Sequence, residues 1–369
     1  MSEQTDSTKA SAVSSPTGWE TLSEYKIPIA LVLFVIVLRP FMAHEWVSGY
    51  GQIATTMLIF MLFVAGFNLL LGFTGVLSFG HAMFFGIGMY AVAIGISKFQ
   101  AGFVFSAIIG IILAGLLAYG IGRLIIDKGE IYFAMLTIAF GQALHFIVNY
   151  NPYGLTEGSD GISQNAVPVW IESYRGAKTV SFMPEMLNDW YFFVAAVFLA
   201  GMVILWQIIR SPFGRTLIAI RENEALARAM GVNTSRYKNV SFTMSAMFAA
   251  LAGVLLEIND SGAVLETFHW TTSGDAVLMS VLGGMNYFAG AIAGAFVWLF
   301  AEDYLTGIEV LQLPLSGTEV PVGDVLVFWK FFLGLLFVLI IIRSPREGVW
   351  GFARRFWAIL AARIKEVRR

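Results

Sequence analysis

No cysteine occurs among the 369 residues, so disulfides, thiolate nucleophiles and Cys-ligated metals are excluded. Charge is scarce too. Asp, Glu, Lys and Arg make up 13% of the chain, against roughly 25% in a soluble domain. So little charge cannot coat a water-exposed surface of this size. That excludes an ordinary soluble enzyme, a disordered chain and a nucleic-acid binder. What fills the chain instead is apolar: 57% hydrophobic residues, 37 glycines and a mean hydropathy of +0.74. These values point to a polytopic membrane protein.

Crossing the hydrocarbon takes about 20 apolar residues. Such runs fall near 27–43, 52–71, 76–97, 101–122, 131–149, 190–209, 236–258, 286–304 and 325–342, and a piece at 275–283 is too short to cross alone. Each must be helical, because an unpaired backbone group in lipid costs several kcal/mol. The runs are continuous and lack the period-two alternation of a barrel. The expected fold is therefore an all-α polytopic membrane protein with about 8–10 transmembrane helices. Residues 1–26 are polar, without the basic start or cleavage site of a signal peptide, and read as a disordered cytoplasmic tail. The transmembrane domain is expected over 27–348, followed at 349–369 by a basic amphipathic helix. There Trp350, Phe352, Phe356, Trp357 and Leu360 alternate with Arg354, Arg355 and Arg363, a pattern suited to an anionic inner leaflet.

Basic residues set the expected orientation. Fourteen of the 23 Lys and Arg lie in 210–238 and 343–369, whereas 259–275 and 303–324 carry acids and no Lys or Arg. The positive-inside rule puts the first pair of segments in the cytoplasm, with both termini, and the second pair outside. The loop 150–189, with an acidic balance, also reads as external. Parity then requires 275–304 to leave and regain the same external side, as two spans or as a broken or re-entrant hairpin turning at Gly283-Gly284. Irregular backbone at membrane depth survives only when shielded by protein or a water-filled path, and broken helices point to a transport site; a helix kinked by glycines for packing is the plainer reading. Gly290 and Gly294 form a GxxxG pair suited to close helix approach. Gln142, His145 and Asn149, at i, i+3 and i+7, form a polar stripe on one helix face. The stripe suits either interhelical hydrogen bonds or the lining of a path.

Between two spans runs a segment too charged and too short to cross. Ser211-Pro212 offers an N-cap and a Pro at the first helical position, and Gly231 offers a terminating glycine. The expectation is one helix over 213–231, with Arg221, Glu224, Ala225 and Arg228 on a common face. Such a helix either docks into a partner's groove or serves as a solvated connector.

The run Ser211-Pro212-Phe213-Gly214-Arg215, then Ile220-Arg221-Glu222-Asn223-Glu224-Ala225, then Gly231-Val232 and Tyr237-Lys238, resembles the LivM-type permease subunits of ATP-binding-cassette importers for branched-chain amino acids. The resemblance covers roughly 50–350. Gly72-Phe73-Thr74-Gly75, Leu77-Ser78-Phe79-Gly80-His81-Ala82, Gly158-Ser159-Asp160-Gly161, His269-Trp270-Thr271-Thr272-Ser273-Gly274 and Val281-Leu282-Gly283-Gly284 follow in the family's order. Glu157 stands where the family usually has Gly, and Asn286-Tyr287 replaces a common Gly-Thr.

The resemblance implies an importer permease fold in the inner (cytoplasmic) membrane. It implies a second, LivH-type permease, two ATP-binding subunits and an extracytoplasmic amino-acid-binding protein as partners. Arg221, Glu222, Glu224, Ala225, Arg228 and Gly231 would then couple to the ATPase. Ser78, Gly80, His81, Gln142, His145, Asn149, Gly283 and Gly284 are path candidates; free amides near Ser78–His81 or at the start of 275–283 could hold a carboxylate. Ser159 and Asp160 would belong to the external loop. No cofactor or metal is expected in this chain. It has no GxxxxGK[ST] loop, so ATP and Mg²⁺ would bind the partners. An ion-gradient carrier is the rival class, weakened by the lack of a mid-span carboxylate cluster. Leu, Ile and Val are the family's usual solutes; other amino acids, amides, urea and aromatic acids are carried by relatives.

Overall fold

Each long apolar run carries a helix, because only intrasegment hydrogen bonds satisfy a backbone in lipid. The computed structural model describes residues 26–44, 53–163, 189–307, 310–312, 319–321, 329–343 and 348–351. Helices α1 (Lys26–Met42), α2 (Ile53–Asn68), α3 (Ala82–Ser97), α4 (Phe103–Ile125), α5 (Glu130–Tyr150) and α6 (Asp189–Arg210) come first. Two short helices follow, α7 (Pro212–Glu222) and α8 (Glu224–Ala229). Then come α9 (Thr234–Asp260), α10 (Trp270–Gly283), α11 (Phe288–Gly307) and α12 (Trp329–Arg343). Among the described residues, six helices are long and apolar enough to cross a membrane. The chain is an all-α polytopic membrane protein. All of the expected 1–26 tail but Lys26, most of loop 150–189 and most of 349–369 lie outside the described residues.

α9 sits at the centre, packed on α2, α3 and α4. Lipid gives no hydrophobic force between helices, so contact depends on close approach at small residues. A methyl group at Gly253 would stand 1.9 Å from the Phe85 carbonyl oxygen, and one at Gly88 2.0 Å from that of Ala250. The α10–α11 hairpin is equally tight. Gly283 would clash with the Gly290 carbonyl at 1.8 Å, and Gly294 with that of Met279 at 1.9 Å. The expected turn at Gly283-Gly284 and the GxxxG contact are therefore both present.

Two ends of the bundle can be told apart by contacts. One end gathers the C-termini of α2, α4 and α10 with α7, α8 and the start of α9, through Arg221–Asn286, Ser235–Asp127 and Lys238–Glu224. The other end carries Lys98–Glu157, Trp190–Asn259 and a two-residue antiparallel pair, β1 (Ile162–Ser163) with β2 (Gly262–Ala263). A second pair, β3 (Val310–Gln312) with β4 (Glu319–Pro321), joins α11 toward α12.

Three expectations need correction. The span expected at 76–97 is helical only from Ala82. α2 ends in a π-helical turn, Leu69–Thr74, and 75–81 then runs without helix, burying Val76, Ser78 and Gly80 alternately. The short limb expected at 275–283 begins earlier, at Trp270, yet its 14 residues still reach only about 21 Å, short of the hydrocarbon thickness. Finally, 213–231 is not one helix. It breaks at Asn223, whose extended backbone ends α7 and whose side chain caps α8 by accepting from Leu226 N.

Candidate functional site

The end bearing α7 and α8 holds the densest polar geometry. α7 starts as its sequence dictates, with Ser211 Oγ accepting from Gly214 N and Pro212 at the first position. α8 stops in a Schellman motif: Val232 N bonds Ala227 O and Gly231 N bonds Arg228 O. The motif needs a left-handed residue, and Gly231 supplies it at φ 86°.

Between these ends the side chains divide. Glu224 accepts from Lys238 Nζ at 2.6 Å and from Arg228 Nη2 at 2.8 Å. Burial acts against the Glu224 carboxylate, but the Lys238 hydrogen bond and charge, aided by Thr234 and Arg228, outweigh it and hold its pKa below the usual value. Arg221 turns inward, while Glu222 beside it is exposed. The break at Asn223 thus removes the common face expected for Arg221, Glu224, Ala225 and Arg228. The outward surface at α8 carries Ala225, Arg228 and Ala229 with two large apolar residues, Leu226 and, just past the helix end, Met230, 60% and 78% exposed. Their i, i+4 spacing on a charged helix was the signal that could have found them.

The path candidates fall into separate places. Ser78, Gly80 and His81 come together, but inside the packed core. His81 is fully buried against the rings of Phe67, Phe84 and Phe242. Ser245 Oγ donates to Gly66 O, so it accepts from His81 Nε2–H at 2.7 Å; Nδ1 is then free to accept from Ser78. Gly80 lies where a side chain would strike the Thr137 carbonyl. This cluster fixes the start of α3 and presents no open surface. Gly283 and Gly284 are spent on the α10–α11 hairpin.

The stripe on α5 lies on a more open face. His145 stands 6.0 Å, ring to ring, from His269, which caps the start of α10. Gln142 is half-buried, with a shielded Nε2 that makes no hydrogen bond, and Asn149 is exposed. Within the first turn of α10, Ser273 Oγ accepts from Ala82 N at 2.7 Å, so the starts of α3 and α10 meet. Sequence order gave no hint of that pairing. Ser159 and Asp160 are exposed on a 3₁₀ turn before β1. Glu157 adopts the left-handed backbone (φ 58°) of the glycine usual at its position, and its carboxylate meets Lys98 Nζ at 2.7 Å.

Residues 49–341 match the profile of the family described as branched-chain amino acid transport system / permease component. The chain belongs to this family. Among similar proteins is the high-affinity branched-chain amino acid permease LivM of Escherichia coli K12, 26% identical over 80% of this chain and 72% of that protein. LivH of the same organism is 25% identical over 66% of this chain and 80% of its own length. The autoinducer 2 import permease LsrC of Photorhabdus laumondii is 32% identical over 37% of this chain and 41% of that protein. No solved structure matches. For a permease component, the two places to weigh are therefore the α7–α8 surface and the face shared by α5 and α10.

Proposed function

We propose that this permease is one of two homologous membrane subunits of an ATP-driven importer for branched-chain amino acids, with both termini in the cytoplasm. The observation that carries the reading is the α7–α8 element. It is short, capped at both ends, braced to α9 through Glu224–Lys238, and presents Leu226 and Met230 outward. A rigid apolar knob on a basic end suits docking into a groove on an ATP-binding subunit. Ala225 and Glu222 border that contact, while Arg228 and Gly231 shape it. The second permease, of the LivH kind, covers the α5–α10 face, so that Gln142, His145, Asn149 and His269 face the solute's route. The amides of Gln142 and Asn149 there suit a zwitterion with an apolar side chain better than a fixed charge would. An extracytoplasmic binding protein delivers the solute at the β1–β2 end, near Ser159 and Asp160.

The test is uptake of labelled leucine into proteoliposomes holding both permeases, both ATPases and the binding protein. Uptake should require internal ATP and external binding protein. Uptake driven by an ion gradient without ATP would overturn the reading. Labelling locates the ends: the chain has no cysteine, so Leu226→Cys should react only after the membrane is permeabilised. LsrC-like relatives carry another solute name, so ligand binding by the cognate binding protein decides the solute.

A further inference from the structure

Arg221 lies in the last turn of α7, where its sequence position suggested a docking contact. Its side chain instead points into the bundle. Nη1 donates to the Gly72 carbonyl, in the π-turn ending α2, and at 2.9 Å to Asn286 Oδ1, just past the end of α10; Nη2 donates to Glu222 at 2.8 Å. The end of α2, through a main-chain carbonyl, and the turn beyond α10, through the Asn286 side chain, therefore meet at one guanidinium. A helix C-terminus such as that of α2 leaves carbonyls without intrahelical donors and carries partial negative charge. Arg answers both with five donors in a fixed fork.

The backbone is shaped to admit this side chain. Gly75 is left-handed (φ 78°), and a methyl group there would stand 2.6 Å from Arg221 Cγ. A methyl group at Gly72 would stand 2.2 Å from the Met285 carbonyl oxygen. The end of α2, the α10–α11 turn and Arg221 thus interlock with no slack.

The contacts then close into a ring. From Gly75 the non-helical segment leads to Ala82, whose N–H bonds Ser273 in the first turn of α10. α10 runs from there to Gly283 and delivers Asn286 back to Arg221. We propose that Arg221 is a positioning residue that makes α7 move as one body with the interrupted segment 75–81 and with α10. Motion imposed on α7 and α8 from outside is passed through this ring to the region where the starts of α3 and α10 meet. This rests on the docking reading given above.

Two experiments test the ring. In the full complex, Arg221→Ala should keep the ATP-binding subunits attached while uptake falls by at least about tenfold, the scale of a lost charged hydrogen bond, and while the binding protein ceases to stimulate ATP hydrolysis. Arg221→Lys should recover part of the uptake, since an ammonium reaches one acceptor but not both in the same geometry. Loss of ATPase attachment in Arg221→Ala would overturn the proposal in favour of direct docking, and unchanged uptake would overturn it outright. Should Arg221→Ala fail to accumulate in the membrane, Arg221→Lys and Asn286→Ala carry the test; normal uptake in both refutes it. Independently of transport, hydrogen exchange on the purified chain should quicken at 72–81 and 284–290 in Asn286→Ala or Arg221→Lys, with α4 and α6 unchanged. Native exchange at those backbones would refute the ring itself, whereas a wild-type complex without ATP-dependent uptake would overturn only the function proposed above.

Discussion

Replacing Gly253 with alanine drives one atom into a close backbone crossing at the centre of the bundle. The added carbon would lie 1.9 Å from the Phe85 oxygen and 3.1 Å from Met89 N, whereas a relaxed carbon–oxygen contact is about 3.3 Å or more. Both neighbours are backbone inside α3, so no side-chain rotation relieves the overlap. α3 and α9 must part by more than about 1 Å, a gap that forfeits a quarter to a half of the dispersion between facing atoms. Overpacking costs about 1–3 kcal/mol, and this site falls at the upper end. Gly88→Ala strikes the Ala250 carbonyl across the same helix pair and should cost a similar amount. One separation relieves both overlaps, so the double variant should cost clearly less than the sum. The assay is reversible denaturant unfolding in micelles, with Gly120→Ala as the control. Nothing lies within 4 Å of a methyl group at Gly120, so that change should stabilise by up to about 1 kcal/mol. If Gly253→Ala unfolds within about 0.5 kcal/mol of the native chain, close backbone approach is not what holds α3 to α9.

Three further outcomes are expected. Leu226→Asp with Met230→Asp should abolish co-purification of the ATP-binding subunits and leave thermal unfolding of the chain unchanged, since both side chains are exposed. Glu224 has a folded-state pKa below its unfolded one, so its stabilising contribution is complete above the unfolded pKa and disappears as pH falls through the folded value; Glu224→Gln should flatten that acid limb in a melting-temperature series against pH. Gly231→Ala should cost about 1 kcal/mol by forcing a side chain into the left-handed region, and Gly231→Pro should cost more because it also removes the bond to Arg228 O; both are read by the same unfolding assay.

The limits of the α7–α8 element were legible because capping chemistry is local: Ser211-Pro212 opens it and Gly231 closes it. The break between the two helices was not read, although Asn223 is a capping residue type, because apolar and charged residues continue in helical order on both sides. The non-helical segment 75–81 escaped for a different reason. Its residues are as apolar as a span, and hydropathy does not separate extended from helical backbone once both are buried. Its buried positions, Val76, Ser78 and Gly80, alternate with the less buried Leu77 and Phe79, an order that runs against hydropathy and has no signature in the sequence. His145 and Arg221 stand out in the sequence by type and spacing. What each one faces, His269 and Asn286, comes from more than sixty residues away, and only the folded chain brings them together.

The strand pair at the far end has its own consequence. Ile162 and Ser163 pair with Ala263 and Gly262 as antiparallel strands, and a methyl group at Gly161 or Gly262 would strike the opposite backbone. A nudge applied to the turn holding Ser159 and Asp160 therefore reaches the stretch leading into α10 through the backbone. The exposed Ser159 and Asp160 can change while Gly161 and Gly262 cannot, and the link beneath them survives.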